Sequence, residues 1–193
     1  MLGRDDLENL HDSVSYSELF SQKTEQSTIY HKEFYRQIRD SKFLKIYNQF
    51  IADCIKPHFD DKIVYQKIPT FRTQFLNNIS VGKYHKDKDY NHNDKEVNCY
   101  ISLTDSINTN AVWAESEEDR GDYKPLNAKY GEYILWDGVN CCHGNKENIE
   151  GFTRISFDFR IMNYSDYDKN ERQGKLTGYA KVPMTIGDYY EVM

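Results

Sequence analysis

The stretch TRISFDFRIM (153–162) alternates so regularly that it has two chemically opposite faces. Ile155, Phe157, Phe159 and Ile161 fall on one, and Arg154, Ser156, Asp158 and Arg160 on the other, because successive side chains of an extended strand point to opposite sides. VNCYISLT (97–104) divides the same way, with Val97, Cys99, Ile101 and Leu103 against Asn98, Tyr100, Ser102 and Thr104. Strands of this kind need an apolar layer behind them. Their polar face has two fates: solvent, the ordinary outcome for an antiparallel sheet, or the wet lumen of a jelly roll with a ligand inside.

Outward from these two strands lie further short candidates separated by Asn, Asp, Gly and Lys clusters: KIVYQKI (62–68), TFRTQFL (70–76), ISVGKYH (79–85), NAVWAES (110–116) and GEYILWDG (131–138). Many short strands at this spacing predict a mainly β fold, a sandwich or barrel rather than a doubly wound parallel sheet. Before them the period is helical. From 29 to 55 the apolar residues Phe34, Ile38, Phe43, Leu44, Tyr47, Phe50, Ile51, Cys54 and Ile55 mark an amphipathic helix or a broken pair, stopped by Pro57. The polar, Tyr-rich segment 163–193 reads equally as an ordered strap or a loose tail. The expected organisation is one domain over 1–193, with a helical part at 1–58, a β core at about 63–162 and the strap or tail at 163–193.

Composition bounds the function. The net charge of −6 and pI near 5.5 argue against nucleic acid, which needs a surplus of Lys and Arg on one face. No apolar run approaches a membrane span, and a soluble, cytoplasmic protein acting on a small molecule is expected. The acidic balance favours a small polar substrate of cationic or zwitterionic character. Cys54, Cys99, Cys141 and Cys142 follow neither a zinc spacing nor a disulfide framework, which predicts reduced thiols, with the adjacent pair as small buried fillers. The mean hydropathy is −0.84, yet there are 16 tyrosines, so much of the burial must come from rings with polar tips. Composition leaves the oligomeric state open.

The chemistry concentrates in three places. KYHKDKDYNHNDKE (83–96) holds the same pattern twice, His85-Lys86-Asp87 and His92-Asn93-Asp94. A histidine and a carboxylate two apart on a strand project from one face and can chelate a metal; a mononuclear 2-His-1-carboxylate site needs one such pair and a third ligand from elsewhere. His85 and Asp87 stand at the end of a strand candidate, whereas His92 and Asp94 lie in a run with no apolar anchor, which reads as a solvated loop. His143 follows as a third ligand, and then Arg154, able to grip a carboxylate through two parallel hydrogen bonds, with Ser156 on the same face.

His-x-Asp, a distal His and Arg-x-Ser in this order resemble the Fe(II)/2-oxoglutarate-dependent dioxygenase superfamily. More closely, YHKDKDY, EVNCYISLT, WAES, GDYKPL, GEYILWDG, CCHGN and GFTRISFDFR, spanning about 65–161, resemble the small phytanoyl-CoA-dioxygenase-like group that includes oxygenase-like proteins of streptomycin biosynthesis clusters. The resemblance implies a double-stranded β-helix, or jelly roll, and a cupin-like barrel. It implies Fe(II) on His85, Asp87 and His143, with 2-oxoglutarate and O2 as cosubstrates. It places the distal carboxylate of 2-oxoglutarate on Arg154 and Ser156, and puts His92-Asn93-Asp94 in the loop that follows, at the site mouth. A carboxylate at Asp87 favours hydroxylation, desaturation or ring closure over halogenation. Asn98 and Tyr100 are candidate 2-oxoglutarate contacts. Arg72, Gln74 and Glu115 are weaker candidates for substrate binding, and Trp113 and Trp136 are expected in the core. The alternatives are a cupin-like metal-dependent lyase or isomerase, and a non-catalytic jelly-roll binding module.

Overall fold

The computed structural model describes residues 5–15, 28–38, 42–80, 83–178 and 180–193. Their regular structure is mostly antiparallel β-sheet, with a few helices. The helical stripe is a broken pair. Helix α1 (Ile29–Gln37) starts at Thr28, whose hydroxyl accepts from the His31 N–H, as a capping residue should. Helix α2 (Lys42–Phe50) runs on through a π turn at Ile51–Ile55 into a 3-10 turn at Lys56–His58, where Pro57 ends it.

Among the described residues nine strands follow: β1 (Ile63–Gln66), β2 (Thr70–Gln74), β3 (Val97–Ser102), β4 (Val112–Ala114), β5 (Lys124–Pro125), β6 (Tyr133–Trp136), β7 (His143–Asn145), β8 (Arg154–Asn163) and β9 (Tyr190–Val192). The alternating strand β8 is the spine of the larger sheet. One edge pairs with β3 from Ser156 to Ile161; the other is shared end to end by β2, opposite Arg154–Asp158, and β1, opposite Ile161–Asn163. Strand β6 lies outside β3 and β9 outside β1. The smaller sheet has the order β5-β4-β7. Of the strand candidates, ISVGKYH shows no strand among its described residues: Val81 and Gly82 lie outside them, and His85 joins an isolated bridge to His143. Strands β5, β7 and β9 were not foreseen, being two or three residues long and without room for a period.

The apolar face of β8 rests on the helices. Ile155 and Phe157 pack with Phe34, Ile38 and Phe71, and Phe34 stacks on Phe71 at 5.0 Å. Farther along, Phe159 and Ile161 pack with Tyr47, Ile51 and Ile55. The polar face is buried as well: Arg154 is 1% exposed, Ser156 0% and Arg160 6%. Side chains of both sheets meet over it around one pocket. That is the second of the two fates, and it decides where chemistry is possible. Trp113 and Trp136 are half-buried rather than core: Trp136 lines the pocket and Trp113 lies under the Lys146 ammonium. Among the described residues no helix is long and apolar enough to cross a membrane, and all four cysteines are free. Cys141 is buried and Cys142 half-buried.

The described part of segment 163–193 is a strap. Met184 and Tyr190 are buried against Val64 and Met162, and the Tyr190 hydroxyl donates to Glu96 Oε1 at 2.5 Å. Glu96 also accepts from the Asn93 N–H at 2.9 Å and pairs with His92 Nδ1 at 2.7 Å. Burial alone would raise this carboxyl, but His92, Tyr190 and the Asn93 N–H together hold it below its usual value. A group with a depressed folded-state pKa contributes stability that is present above its unfolded value and lost as pH falls through the folded one. Tyr190→Phe is therefore expected to cost about 1.5–3 kcal/mol at pH 7, as loss of a hydrogen bond to a charged group does. The cost should shrink in acid, as the pH falls below the ordinary carboxylate range and through the depressed value of folded Glu96. Urea unfolding at pH 7 and in acid checks it; an unchanged midpoint at pH 7 counts against the clasp.

Candidate metal centre and pocket

Two backbone hydrogen bonds bring the histidines together. His85 N–H donates to His143 O and His143 N–H to His85 O, both at 2.9 Å, which sets the rings 4.4 Å apart. Each Nδ1 lies on a carbonyl, His85 on Lys83 O at 2.8 Å and His143 on Cys141 O at 3.0 Å. A carbonyl can only accept, so each Nδ1 carries the proton and each Nε2 presents a lone pair, the arrangement found for metal-binding imidazoles. Both Nε2 atoms lie 3.7 Å from Asp87 Oδ1, and the three ligand atoms fall within 4.8 Å of one another. Donors bound at right angles to one ion at about 2.1 Å stand about 3 Å apart, so the cluster needs less than a rotamer change to close on a divalent cation.

The electrostatics suit that use. Burial would raise the Asp87 carboxyl, but the Arg160 guanidinium, with His85 next, holds it well below the usual carboxylate range. Burial also lowers His143, only partly offset by Asp87, which favours the neutral, ligating imidazole. Asp87 opens a 3-10 turn, Asp87–Tyr90, and its N–H donates to Gly138 O at 3.1 Å. Glycine is required there: a Cβ on residue 138 would lie 2.4 Å from Asn98 Nδ2, the atom that donates to Asp87 Oδ2 at 2.7 Å.

The same pocket contains a chain of charges. Arg72 Nε donates to Asp158 Oδ1 at 2.6 Å, Asp158 accepts from Arg160, and Arg160 Nη2 donates to Asp87 Oδ2 at 2.7 Å. These pair off. Arg154 does not. Its guanidinium meets neutral oxygens at long range, Ser156 Oγ at 3.4 Å, Gln74 Oε1 at 3.3 Å and Asn145 Oδ1 at 3.4 Å. Its Nε and the nearby Tyr100 hydroxyl have no partner among the described residues. Among those residues no carboxylate pairs with Arg154, although buried charges ordinarily do pair.

No family model matches the chain. Its sequence is 32% identical over 195 aligned positions to the streptomycin biosynthesis protein StrG of Streptomyces griseus, covering 100% of this chain and 89% of that one. The chain belongs to the StrG family. Among solved structures, it is similar to a non-heme monooxygenase described as a ThoJ-Ni complex, with TM-score 0.45, 12% identity, and 58% of this chain and 49% of that one covered. EvdMO1 gives TM-score 0.39 and 18% identity, with 52% and 28% covered. The chain thus spans about half the length of ThoJ and less of EvdMO1.

In this StrG-family chain His85, Asp87 and His143 adjoin one another, and the pocket beside them is lined by Arg154, Asn98, Tyr100 and Arg72. Ser156 and Gln74 touch the Arg154 guanidinium from below. Asn98 spends its amide N–H on Asp87 and so orients that carboxylate. Glu115 is elsewhere: its two oxygens accept from the backbone N–H groups of Gly121 and Cys142, which leaves it holding loops together. His92 faces Glu96 and Tyr189 and is not one of the three clustered residues. Arg160 and Trp136 were missed as pocket residues. Arg160 was legible on the polar face of β8, while Trp136 needed the β3–β6 register, which sets it opposite Asn98. Among the described residues lining the pocket, the one carboxylate is Asp158, which already faces two arginines. Apart from the His–Asp–His cluster, that lining offers no spare carboxylate to pair with the cationic or zwitterionic substrate expected from net charge.

Proposed function

We propose that the chain is an Fe(II)- and 2-oxoglutarate-dependent oxygenase, acting as a hydroxylase on a small polar metabolite with release of succinate and CO2. The observation that carries this reading is Arg154: a cation 1% exposed, without a carboxylate partner among the described residues, in the pocket that also holds the His–Asp–His cluster. A buried charge that the fold leaves uncompensated is matched by a ligand of opposite charge. A metal-dependent lyase has no use for it. The frame for this reading is a single jelly-roll domain over 1–193 in the cytoplasm.

The residues divide the work. His85, Asp87 and His143 would hold the metal, on the evidence of two Nε2 lone pairs and one free carboxylate oxygen turned toward a common point. When bound, Fe(II) with 2-oxoglutarate supplies the oxidising power that inserts an atom of O2 into a C–H bond. Arg154 takes the distal carboxylate through a two-bond fork, with Ser156 as a further donor and Tyr100 Oη free beside it. Arg72 and Arg160, whose charges are balanced by Asp158 and Asp87, contribute shape to the pocket. The polar walls of the pocket suit a polar substrate.

Anaerobic protein loaded with Fe(II) is expected to develop a visible charge-transfer band on addition of 2-oxoglutarate, and to release succinate slowly when O2 is admitted. Protein that binds the metal yet gives neither signal would sink the reading and leave a lyase or a binding module.

A further inference from the structure

Three donors converge on one oxygen of Asp87. Arg160 Nη2 and Nε reach Oδ2 at 2.7 and 3.1 Å, and Asn98 Nδ2 reaches it at 2.7 Å. Oδ1 instead faces the two imidazoles, 3.7 Å from each Nε2. Arg160 has little freedom to turn. It is 6% exposed, and its remaining terminal nitrogen, Nη1, is bonded to Asp158, which is itself held by Arg72 Nε at 2.6 Å.

A free carboxylate beside a divalent cation can bind through one oxygen or chelate through both. A chelating Asp87 would occupy two coordination positions; a one-oxygen Asp87 occupies one and leaves three adjacent positions open beside two histidines, the number that a chelating cosubstrate and dioxygen require. From these contacts we infer that Arg160 is a positioning residue that dedicates Asp87 to one-oxygen coordination: it ties up the lone pairs of Oδ2 and turns Oδ1 toward His85 and His143. Asp158 and Arg72 complete the device by fixing the guanidinium in its plane. This assignment rests on the metal-centre reading above and adds to it a residue that touches neither metal nor cosubstrate. A guanidinium serving only as charge balance for a buried carboxylate would need neither two bonds to the same oxygen nor the Asn98 amide on it as well.

The test uses Co(II), which binds such sites without turnover, and infrared difference spectra of protein made with carbon-13-labelled aspartate. The separation between the two carboxylate stretches is wide for one-oxygen binding and narrow for chelation. The parent is expected to take up one equivalent of Co(II) with a wide separation. Arg160→Met, which fills much of the same space without donors, is expected to narrow it and to weaken 2-oxoglutarate binding to the Co(II) form by about 10-fold, one well-made ligand contact being worth about 1.4 kcal/mol. Arg160→Lys keeps the buried charge and is the variant to read where Arg160→Met does not fold, since a single ammonium cannot cover both lone pairs of Oδ2. Narrowing in either folded variant supports the assignment; a wide separation in every folded variant overturns it. A parent that takes up no Co(II) overturns the metal-centre reading itself, and this inference with it.

Discussion

His85→Ala protein titrated with Fe(II) or Co(II) under anaerobic conditions is expected to take up no stoichiometric metal, whereas His92→Ala is expected to bind one equivalent, as the parent does. The two histidines belong to the same repeated pattern, and the difference lies in what each ring faces. His85 has its Nδ1 proton committed to Lys83 O and its Nε2 turned to Asp87 Oδ1. His92 has its Nδ1 on Glu96 Oε2, in the clasp that holds the strap. Removing one of three protein ligands should cost more than the roughly 10- to 100-fold that loss of an outer-shell partner costs. His92→Ala should instead lower the urea midpoint, because Glu96 is buried and would lose one of its three partners. Metal content after desalting, with the midpoint measured in parallel, checks both halves. Metal retained by His85→Ala and lost by His92→Ala would exchange the roles of the two pairs.

How much of this was legible beforehand follows the range of the forces involved. The period-2 pattern of Arg154 to Ile161 is local, and it gave both the apolar bed on the helices and the polar face, because a strand has no other way to place its side chains. That the polar face is covered was not local: it depends on β4 and β7, three residues each, too short to carry a signature. His85 shows the same limit. A strand was expected to hold it, and an isolated two-bond bridge to a residue 58 positions away holds it instead. The pairing of Arg160 with Asp87 crosses 73 positions, and no spacing rule reaches that far. Tyr190 reads from sequence as one of many tail tyrosines; only its contact with Glu96, 94 positions earlier, makes the tail a strap.

Arg154→Met is expected to move ligand affinity and stability in opposite directions. The guanidinium is buried among Gln74, Asn145 and Ser156 at 3.3–3.4 Å, so the ligand-free fold carries a desolvated charge with weak compensation. Replacing buried charges by apolar groups of similar shape is often neutral or stabilising, by about 1–4 kcal/mol where it helps. Without 2-oxoglutarate, Arg154→Met should therefore unfold at a urea concentration no lower than the parent. With Fe(II) bound, it should fail to show saturable 2-oxoglutarate binding, because the neutral donors left behind cannot balance a carboxylate taken out of water. Arg154→Lys keeps the charge and loses the fork. It should weaken 2-oxoglutarate by roughly 10- to 100-fold, the equivalent of about 1.4–2.8 kcal/mol, while metal uptake stays at one equivalent. The two titrations and one unfolding curve separate the possible roles of this residue. A structural arginine would lower stability when removed and leave ligand affinity alone; an anion receptor does the reverse, since the fold keeps a charge it would be at least as stable without.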